Sequence, residues 1–322
     1  MTDTSAAPAR MRAVRQETAG GPEVLKLVET DRPEPLPGEI LVRVRAAGVN
    51  PTDWKTRERG SFYTGETVPF TLGFDVSGVV EAIGDGVTLH APGDEVYGMP
   101  RFPHPAGAYA EYVTAPARHF APKPRGLDHV QAAALPLAAL TAWQALVDTA
   151  DVREGQRVLI HAAAGGVGHL AVQIAKARGA YVIGTASAAK HDFLRGLGAD
   201  ELIDYREQDF AEVVHDVDTV LEAISGDYPT RSLRTLRPGG ILVSLLPLAD
   251  DVREEARERG VRATRMMVEP DLAGLRALTE LVETGRLRTE IAAALPLADA
   301  AKAHELGETG RTSGKIVLTV GD

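Results

Sequence analysis

The sequence contains no cysteine, and that absence alone excludes several classes of site. Without a thiolate the chain can form no disulfide, no iron–sulfur cluster, no cysteine nucleophile and no cysteine-ligated zinc site. Basic residues are in the minority, because 35 Lys and Arg stand against 45 Asp and Glu and give a formal charge of −10. Such a chain has no net positive field that would attract phosphates, so neither nucleic acid nor an anionic membrane is the expected partner.

A long hydrophobic run is also missing. The most apolar stretch, residues 132–147, is mostly alanine and is interrupted by Pro136, Thr141 and Gln144, which makes it too short and too mild for a membrane span. Residues 1–12 are polar, lack the apolar segment of a secretory signal and are expected to be a frayed tail. The expected compartment is therefore the cytoplasm.

The chain changes its pattern along its length, and 322 residues predict about two domains. Residues 13–133 are predicted to be β-rich, since apolar residues alternate with arginine over 42–46 and Gly and Pro turns separate short apolar runs. This part is expected to form a small barrel or sandwich. Beyond it, strands and helices alternate with short connections, which predicts an α/β fold with a parallel sheet covered by helices on both faces.

The end of the chain is predicted to return to the first domain. After further helix it finishes in the apolar segment Lys315–Val320, a strand that could re-enter the β-rich part. The β-rich domain is therefore expected to comprise residues 1–133 and 267–322, with a nucleotide-binding domain at 134–266 inserted between them. Within the insert, the Pro-Gly-Gly sequence at 238–240 is expected to end a helix that runs to Leu236.

The strongest local signal is the sequence HAAAGGVG over His161–Gly168, directly after an apolar strand segment. Glycines allow a tight turn and a close approach to a pyrophosphate, and the following helix offers free N–H groups and a partial positive charge. Against the G-x-G-x-x-G template, Ala163 replaces the first glycine, while Gly165 and Gly168 fill the other two positions. This context predicts dinucleotide binding, with a plain strand–helix turn as the alternative.

The residues after the next predicted strand, Tyr181–Gly184, favour a phosphorylated dinucleotide. An NAD site usually places Asp or Glu near this point to hold the ribose hydroxyls, but no carboxylate occurs here before Asp192. Ser187 and Lys190 could instead bind a 2′-phosphate. We therefore predict NADP(H) as cofactor, the alternative being that Lys190 is an ordinary solvated residue.

Further short motifs follow one another in a fixed order through nearly the whole chain: Ala47–Asp53, Gly73–Val80, Gly93–Tyr97, Gly107–Val113, Thr141–Leu146, His161–Gly168, Ile203–Arg206, Arg237–Gly240 and Gly314–Leu318. As a set they resemble the medium-chain dehydrogenase/reductase superfamily. The closest resemblance is to its zinc-free quinone oxidoreductase (zeta-crystallin-like) branch, near the NADPH-dependent enone and alkenal reductases. It implies a GroES-like catalytic domain made by both chain ends, with a Rossmann domain, a doubly wound parallel sheet, inserted between them.

The resemblance also bears on metal content. Zinc-dependent relatives carry Cys at the position of Asn50 and a His-Glu pair at the positions of Phe74 and Asp75. A catalytic zinc site needs three protein ligands, and a single carboxylate cannot supply them. The nine histidines show no ligand spacing either. No metal is expected, so the acceptor must already be electron-poor, as a quinone or an α,β-unsaturated carbonyl compound is.

In that reaction NADPH supplies a hydride, and donors aimed at the oxygen that gains negative charge lower the barrier. Asn50 is the first candidate, since its neutral amide could polarise the oxygen; a loop-capping role is the alternative. Lys55 could stabilise an enolate and donate a proton, and Asp53 could orient it, although a solvated Lys55 and a structural turn carboxylate at Asp53 are the simpler interpretations. Tyr63 could line the mouth of the site or be a plain loop aromatic.

The remaining site residues are implied by the resemblance. They are Thr141, Ser244 and Leu245 near the nicotinamide, Ala164, Gly165, Gly166 and Val167 on the pyrophosphate, and Ser187, Lys190, Tyr205 and Arg311 around the adenosine phosphate. The alternatives are a strand-end aromatic for Tyr205 and a surface cation for Arg311.

Two other functions stay open, as does the assembly. An enoyl-thioester reductase of a lipid or polyketide pathway would need a docking patch for a carrier, for which the arginines over 253–265 are candidates. Glutamates interrupt that run, so a salt-bridged helix face is the simpler interpretation. A NADPH-binding sensor without activity is the third possibility. A homodimer is expected through an edge strand at Arg262–Val268, since an unpaired edge is a liability.

Overall fold

The structure is a computed structural model that describes residues 9–321. Its strands are β1 (Arg10–Gln16), β2 (Lys26–Asp31), β3 (Glu39–Val49), β4 (Phe70–Thr71), β5 (Val76–Ile83), β6 (Glu95–Gly98), β7 (Tyr112–Pro116), β8 (Phe120–Pro122), β9 (Arg157–Ile160), β10 (Tyr181–Ala186), β11 (Glu201–Asp204), β12 (Val217–Glu222), β13 (Leu236–Ser244), β14 (Arg262–Arg265), β15 (Ile291–Pro296) and β16 (Lys315–Thr319).

The α-helices are α1 (Pro51–Arg59), α2 (His129–Ala133), α3 (Pro136–Trp143), α4 (Gly168–Ala177), α5 (His191–Arg195), α6 (Phe210–Val213), α7 (Tyr228–Leu233), α8 (Asp250–Glu258), α9 (Leu272–Glu283) and α10 (Ala300–Glu308). Helix α3 continues into a π-helical segment, Gln144–Thr149. Throughout the described part of the chain, every helix is too short or too polar to traverse a lipid bilayer.

The described chain forms two compact units. One contains residues 9–137, 269–276 and 291–321, and the other contains residues 138–268 and 277–290. The sequence-based limits at 133/134 and 266/267 lie close to two of these junctions. They differ for residues 277–290, which the sequence analysis left with the β-rich domain and the structure groups with the second unit.

The first unit is built from β-sheet. Seven strands form a sheet in the order β15-β16-β3-β5-β6-β8, with β7 also pairing with β3, and a small sheet has the order β2-β1-β4. The eleven-residue β3 is the central strand, because it pairs with β5, β7 and β16. Its pairing with β16 brings the end of the chain back into this unit, as the apolar segment at 315–320 predicted.

The second unit is a parallel six-stranded sheet in the order β11-β10-β9-β12-β13-β14. Counted from β9, this is the 3-2-1-4-5-6 order of dinucleotide-binding sheets, whose order reverses between β9 and β12. Leu159, Ile183, Val220 and Leu242 from four of the strands are buried together in its core. The predicted α/β fold class is therefore confirmed.

Three local predictions are wrong. Residues 238–240 do not end a helix: α7 stops at Leu233, and the Pro-Gly-Gly sequence lies inside β13, where Gly239 at φ +80° and a register shift against β12 accommodate it. Residues 10–12 belong to β1 rather than to a tail, while the rest of the predicted tail up to residue 8 lies outside the described residues. Helix α1 was missed, because few of its nine residues are apolar.

Candidate functional site

The turn over His161–Gly168 is held by backbone hydrogen bonds. The N–H of Gly165 donates to the carbonyl of Ala162 at 2.8 Å, which closes the turn, and the N–H of Ala163 donates to the carbonyl of Thr185 at 3.0 Å, which ties it to β10. Ala162 has a φ of +49°, a left-handed conformation that costs an L-residue energy. Ala162 therefore keeps its strained conformation because the hydrogen bonds of Ala163 and Gly165 hold the turn in place.

This turn leaves donors free in front of α4. Among residues 9–321, no hydrogen-bond partner is found for the backbone N–H groups of Ala164, Gly166 and Val167. A Cβ at Gly168 would lie 2.3 Å from the Ala162 carbonyl oxygen, so only glycine fits there. Three unpaired N–H groups at the start of a ten-residue helix form an anion site of the kind that binds a pyrophosphate. The turn thus fits the phosphates of a dinucleotide.

A buried histidine supports the turn from behind. His161 Nε2 lies 2.9 Å from Ser232 Oγ and Nδ1 lies 3.2 Å from Thr185 Oγ1, which also accepts the Ala162 N–H at 3.3 Å. Burial lowers the pKa of His161 to about 3, and the Arg231 guanidinium adds to the effect. The imidazole is therefore neutral near pH 7 and acts here as a fixed hydrogen-bonding spacer.

The ends of β10 and β11 bring the predicted phosphate-binding residues to one edge of the sheet. Ala186 pairs with Asp204, so Ser187 and Tyr205 are the next residues on neighbouring strands. Ser187 is buried, Lys190 is half-buried, and Tyr205 is 48% exposed. The fourth predicted member, Arg311, is an exposed residue of the other unit, where its N–H bonds Thr309 Oγ1.

A carboxylate missed by sequence reasoning lies at this same edge. Asp204, the last residue of β11, accepts hydrogen bonds from the N–H groups of Ala188 at 2.9 Å and Arg206 at 3.0 Å. These bonds lower its pKa, so the group is ionised. Along the chain after β10 the first carboxylate is Asp192, and only the parallel pairing of β10 with β11 brings Asp204 to this edge.

The residues predicted near the nicotinamide lie in the second unit as well. Thr141 is buried on α3, and Ser244 ends β13 with its hydroxyl 2.8 Å from the buried carboxylate of Glu222. The N–H of Leu245 donates to the carbonyl of Glu222 at 2.9 Å. Glu222 therefore holds this end of the sheet in place, although no local sequence motif marks it.

The first unit contains a buried group of three polar side chains, Asn50, Asp75 and Lys315, which we call the Asn50 cluster. Asn50 Nδ2 donates to Asp75 Oδ2 at 2.8 Å, and Asn50 Oδ1 accepts a hydrogen bond from Lys315 Nζ. Asp75 Oδ1 accepts the N–H of Leu137 at 2.7 Å, and Lys315 also donates to the carbonyl of Val49 at 3.2 Å. Asn50 is only 1% exposed, so its amide is held on both sides inside the unit.

In the Asn50 cluster, burial shifts the pKa values of Asp75 and Lys315, and the opposite charge of each residue counters the shift of the other. Burial raises the pKa of Asp75, and Lys315 together with the hydrogen bonds from Asn50 and Leu137 opposes that rise. Burial likewise lowers the pKa of Lys315, and Asp75, whose Oδ2 is 3.6 Å from Nζ, opposes it. A buried ion pair of this kind persists only with such additional hydrogen bonds.

A second buried series, the Tyr109 chain, comprises Asp53, Tyr109, His304, Arg57 and Glu308. Arg57 only donates, so His304 Nδ1, 3.1 Å from Arg57 Nη1, is an acceptor and Nε2 carries the proton. His304 then donates to Tyr109 at 3.2 Å, and the Tyr109 hydroxyl donates to Asp53 Oδ2 at 3.1 Å. Arg57 also donates to Glu308, so the hydrogen bonds run from Arg57 through His304 and Tyr109 to Asp53 on one side and from Arg57 to Glu308 on the other.

The first residue of the Tyr109 chain has an unusual titration. Burial raises the pKa of Asp53 to about 7, opposed by the Asn50 N–H, which bonds Oδ2 at 2.8 Å. The other oxygen, Oδ1, is buried with no hydrogen-bond partner in the described chain. Burial also lowers the pKa of His304 to about 3, helped by Arg57, so this ring is neutral.

The three residues predicted to be catalytic differ in their surroundings, since Asn50 is buried and Lys55 and Tyr63 are exposed. Asn50 is the residue before α1, and its backbone N–H rather than its side chain bonds Asp53. Lys55 is exposed on α1, and Asp53 makes no hydrogen bond to it among residues 9–321, so the suggested orienting role of Asp53 is wrong. Tyr63 is 46% exposed, with the Arg59 guanidinium 4.5 Å from its ring centroid.

Sequence reasoning missed most of the buried polar residues. Arg57 lies among the charged residues of 55–59, a composition typical of the protein surface, yet it is 1% exposed. Lys315 was considered only as the start of a strand. The packing of α1 against α10 gives one signal in hindsight, since a Cβ at Gly307 would lie 2.7 Å from the Trp54 ring. Within residues 9–321, no three His, Asp or Glu side chains are grouped so that they could hold a metal ion.

Comparison with protein families gives two matches. Residues 36–125 match the alcohol dehydrogenase GroES-like domain, and residues 197–318 match a family described as zinc-binding dehydrogenase. Both matches lie in the order that the sequence motifs predicted.

Several curated proteins are similar over nearly the whole chain. Human quinone oxidoreductase is 33% identical over 96% of this chain and 97% of its own length. A 2-haloacrylate reductase of a Burkholderia species is 36% identical over 93% of this chain and 96% of its own length. A polyketide synthase protein of Streptomyces orinoci, NorB, is 38% identical over 95% of this chain, which corresponds to 14% of that protein.

Solved structures show the same likeness. The quinone oxidoreductase of Coxiella burnetii has a TM-score of 0.91 and 42% identity, and the match covers 97% of this chain and 100% of that chain. A mycobacterial protein solved as a complex with NADPH has a TM-score of 0.85 and 32% identity, covering 96% of this chain and 100% of that chain.

Proposed function

Because this chain belongs to the zinc-free quinone oxidoreductase branch of the medium-chain dehydrogenase/reductase superfamily, we propose that it reduces quinones or α,β-unsaturated carbonyl compounds with NADPH. The chain is an NAD(P)H-dependent oxidoreductase that acts on a small molecule. The choice of NADPH and of acceptor is the proposal. The observation that carries it is the turn after β9, whose three unpaired N–H groups fit a pyrophosphate.

The preference for NADPH rests on the edge formed by β10 and β11. Lys190 is the proposed counter-ion of the 2′-phosphate, with Ser187 and Tyr205 beside it and Arg311 as a further cation. The negative charge of Asp204 works against a 2′-phosphate at this edge, but two backbone N–H groups already occupy its two oxygens, so the carboxylate is less available to bind ribose hydroxyls. When bound, NADPH supplies a hydride to the electron-poor carbon of the acceptor.

The protein's part in the reaction is to stabilise charge and to supply a proton. Asn50 is the proposed donor to the acceptor oxygen, where negative charge develops. Lys55, whose ammonium group is exposed on α1, is the proposed proton source, and Tyr63 is proposed to contact the acceptor. Absence of a metal stays a prediction that follows from Asn50 and Phe74 at positions where zinc enzymes have ligands.

The test is a cofactor and acceptor panel. We expect fluorescence titration to give tighter binding of NADPH than of NADH, and Lys190→Ala to weaken NADPH about tenfold while leaving NADH unchanged. Lys302→Ala, which removes an exposed lysine paired with Asp299, is the control. Equal loss of both cofactors in Lys190→Ala would contradict the 2′-phosphate assignment, and no oxidation of NADPH by any quinone or enone would contradict the function.

A second function, reduction of an enoyl thioester, is favoured by the similarity to a polyketide synthase protein. A groove of about 490 Å³ lies beside β14 and is lined by Arg253, Arg257 and Arg262, which could receive an anionic carrier. Arg259 is instead paired with Glu255 on the helix face. Faster turnover of crotonyl-CoA than of a small enone such as methyl vinyl ketone would favour this function over the first.

We also propose a homodimer formed through β14. This strand is at one end of the sheet order and pairs only with β13 among the described strands, so its other edge has unpaired backbone groups. Light scattering should give twice the mass of one chain, and Arg265→Pro, which removes an N–H from the edge that faces away from β13, should give one chain mass. A monomeric parent protein would contradict the proposal.

A further inference from the structure

Asn50 has features that single out its side-chain amide. It is the only asparagine among the 322 residues, and it is 1% exposed. Its oxygen faces an ammonium group and its nitrogen faces a carboxylate, so the amide has one hydrogen-bonding orientation and cannot be turned over without placing N–H against Lys315. The two charged neighbours therefore define which way this amide points.

The surroundings of Asp75 and Lys315 leave little freedom for another arrangement. Asp75 Oδ1 is held by the Leu137 N–H, and a Cβ at Gly48 would lie 2.7 Å from Asp75 Oδ2. Lys315 is 3% exposed, and a second of its N–H groups donates to the carbonyl of Val49. Each charged group is thus anchored by backbone groups as well as by Asn50.

One donor of the amide is left over. An asparagine has two N–H donors, and within residues 9–321 Asn50 Nδ2 bonds only Asp75 Oδ2, so its second N–H has no acceptor. A buried polar group normally has a partner, and an unsatisfied donor marks a place for one. A ligand oxygen would supply the missing acceptor.

We propose that Asp75 and Lys315 are positioning residues that hold the Asn50 amide in one orientation, so that its remaining Nδ2 N–H is presented to the oxygen of the acceptor. The inference rests on the proposed function, in which Asn50 donates to that oxygen. Asp75 and Lys315 do not touch the acceptor in this scheme. Their effect on the reaction is exerted through the amide alone.

The kinetic test is a double-mutant cycle with Lys315→Met and Asn50→Ala. In the parent background, Lys315→Met should lower kcat for a quinone about tenfold with little change in KM for NADPH. In the Asn50→Ala background, the same substitution should change kcat less than about twofold, because the amide through which Lys315 acts is gone. Lys302→Met is the matched control and should leave kcat unchanged in both backgrounds. Equal losses in both backgrounds, or no loss in the parent, would overturn the proposal.

A spectroscopic test uses the single asparagine. Protein labelled with ¹⁵N-asparagine has one side-chain NH₂ group, which gives one pair of proton signals. Adding NADP⁺ with 1,4-naphthoquinone, two oxidised partners that cannot react, should shift one proton of the pair much more than the other. In Lys315→Met the pair should move or broaden without ligand, since the amide can then rotate. Unchanged signals in Lys315→Met would overturn the proposal.

These readouts separate two failures. If the parent oxidises no NADPH with any acceptor, the proposed function fails while the NMR comparison of parent and Lys315→Met still tests the orientation of the amide. If the parent is active and the cycle is additive, only the positioning role fails. Should Lys315→Met not fold, Asp75→Ser/Lys315→Met removes both charges together, keeps Asn50 as the single asparagine and takes its place in both tests, with far-UV circular dichroism and NADPH binding as checks on the fold.

Discussion

The two units use their polar groups in opposite ways. In the nucleotide-binding unit the proposed functional groups are backbone N–H donors at the end of β9, and side chains such as His161 and Thr185 only support them. In the β-rich unit the proposed functional groups are side chains, and the backbone of Val49 and Leu137 supports them. A site made of backbone needs particular residues over one short stretch, whereas a site made of side chains can draw them from any part of the chain.

The difference has an energetic consequence. The N–H groups of the turn are left unpaired at the start of a helix, where a bound anion can satisfy them. The Asn50 cluster and the Tyr109 chain are buried, so each member depends on its neighbours, and the loss of one partner leaves the others unsatisfied. Substitutions in the turn should therefore change binding, and substitutions in the buried groups should change stability and its dependence on pH.

The largest effect is expected from Asp53→Asn. The pKa of Asp53 is about 7 in the folded protein and 3.8 for an ordinary Asp. Between these values the native state holds a proton that the unfolded chain has lost, so stability falls as pH rises through this window. An amide cannot titrate, and the free energy of unfolding of Asp53→Asn minus that of the parent should increase between about pH 4 and about pH 8, by at most about 4 kcal/mol.

Urea unfolding at several pH values measures this difference. His161 and His304, whose lowered pKa values make stability rise with pH up to about 6.5, are present in both proteins and cancel. Asp192→Asn, at a fully exposed side chain, is the control and should show no such slope. A flat difference for Asp53→Asn would mean that the pKa of Asp53 is not raised in the folded protein, which would contradict the value of about 7.

Next in size is the effect of Gly168→Ala on the turn. A Cβ there would meet the Ala162 carbonyl at 2.3 Å and the Cα of Ala163 at 2.7 Å, both of them backbone atoms. The turn must open, and we expect NADPH binding to weaken about 100-fold, or about 2.7 kcal/mol. Gly165→Ala, whose Cβ would lie 3.1 Å from the Ala162 carbonyl, should cost much less. Equal losses in a fluorescence titration would contradict a site that depends on the backbone path.

A smaller change is expected for Tyr109→Phe in the buried chain. Removing the hydroxyl leaves the Nε2 proton of His304 without an acceptor and takes one donor from Asp53, at a cost of about 1–3 kcal/mol. Tyr112→Phe, in the same unit, removes a hydroxyl that has no hydrogen bond to any residue of 9–321 and keeps the ring near Arg32, so it should change stability by less than about 0.5 kcal/mol. If urea unfolding gave similar losses of unfolding free energy for the two variants, the hydrogen bonds of the Tyr109 chain would contribute nothing specific to stability.

The same contrast explains what could be predicted from the sequence. The turn at 161–168 and the parallel sheet were predictable, because glycine spacing and alternating apolar segments are local patterns. The Asn50 cluster was not, since Asn50, Asp75 and Lys315 come together only through the pairing of β3 with β5 and β16. Asn50 was found through a family resemblance, and nothing near it in sequence pointed to its two neighbours.

Asp204 and Arg57 show two further limits. Asp204 lies beside the last residue of β10 in the sheet, but it comes 18 residues after that residue along the chain, so the sequence directly after β10 does not contain it. Arg57 lies in a charged segment typical of the protein surface. Its burial depends on His304 and Glu308, which lie on α10 near the other end of the chain. In both cases the deciding information is which distant segment becomes a neighbour.

The smallest predicted effect, from Ala162→Gly, tests what holds the turn in shape. Ala162 is exposed at φ +49°, so glycine relieves strain of about 1–2 kcal/mol and adds about 0.5–1 kcal/mol of backbone entropy cost, for a net stabilisation of roughly 0.5 kcal/mol. Ala292→Gly, on the exposed face of β15, has no such strain and should destabilise by about 0.5–1 kcal/mol. Because the bonds of Gly165 and Thr185 define the turn, NADPH affinity should stay within about twofold of the parent. A stabilised variant that binds NADPH tenfold less well would instead show that the strained alanine, and not its hydrogen-bonded neighbours, keeps the N–H groups in place.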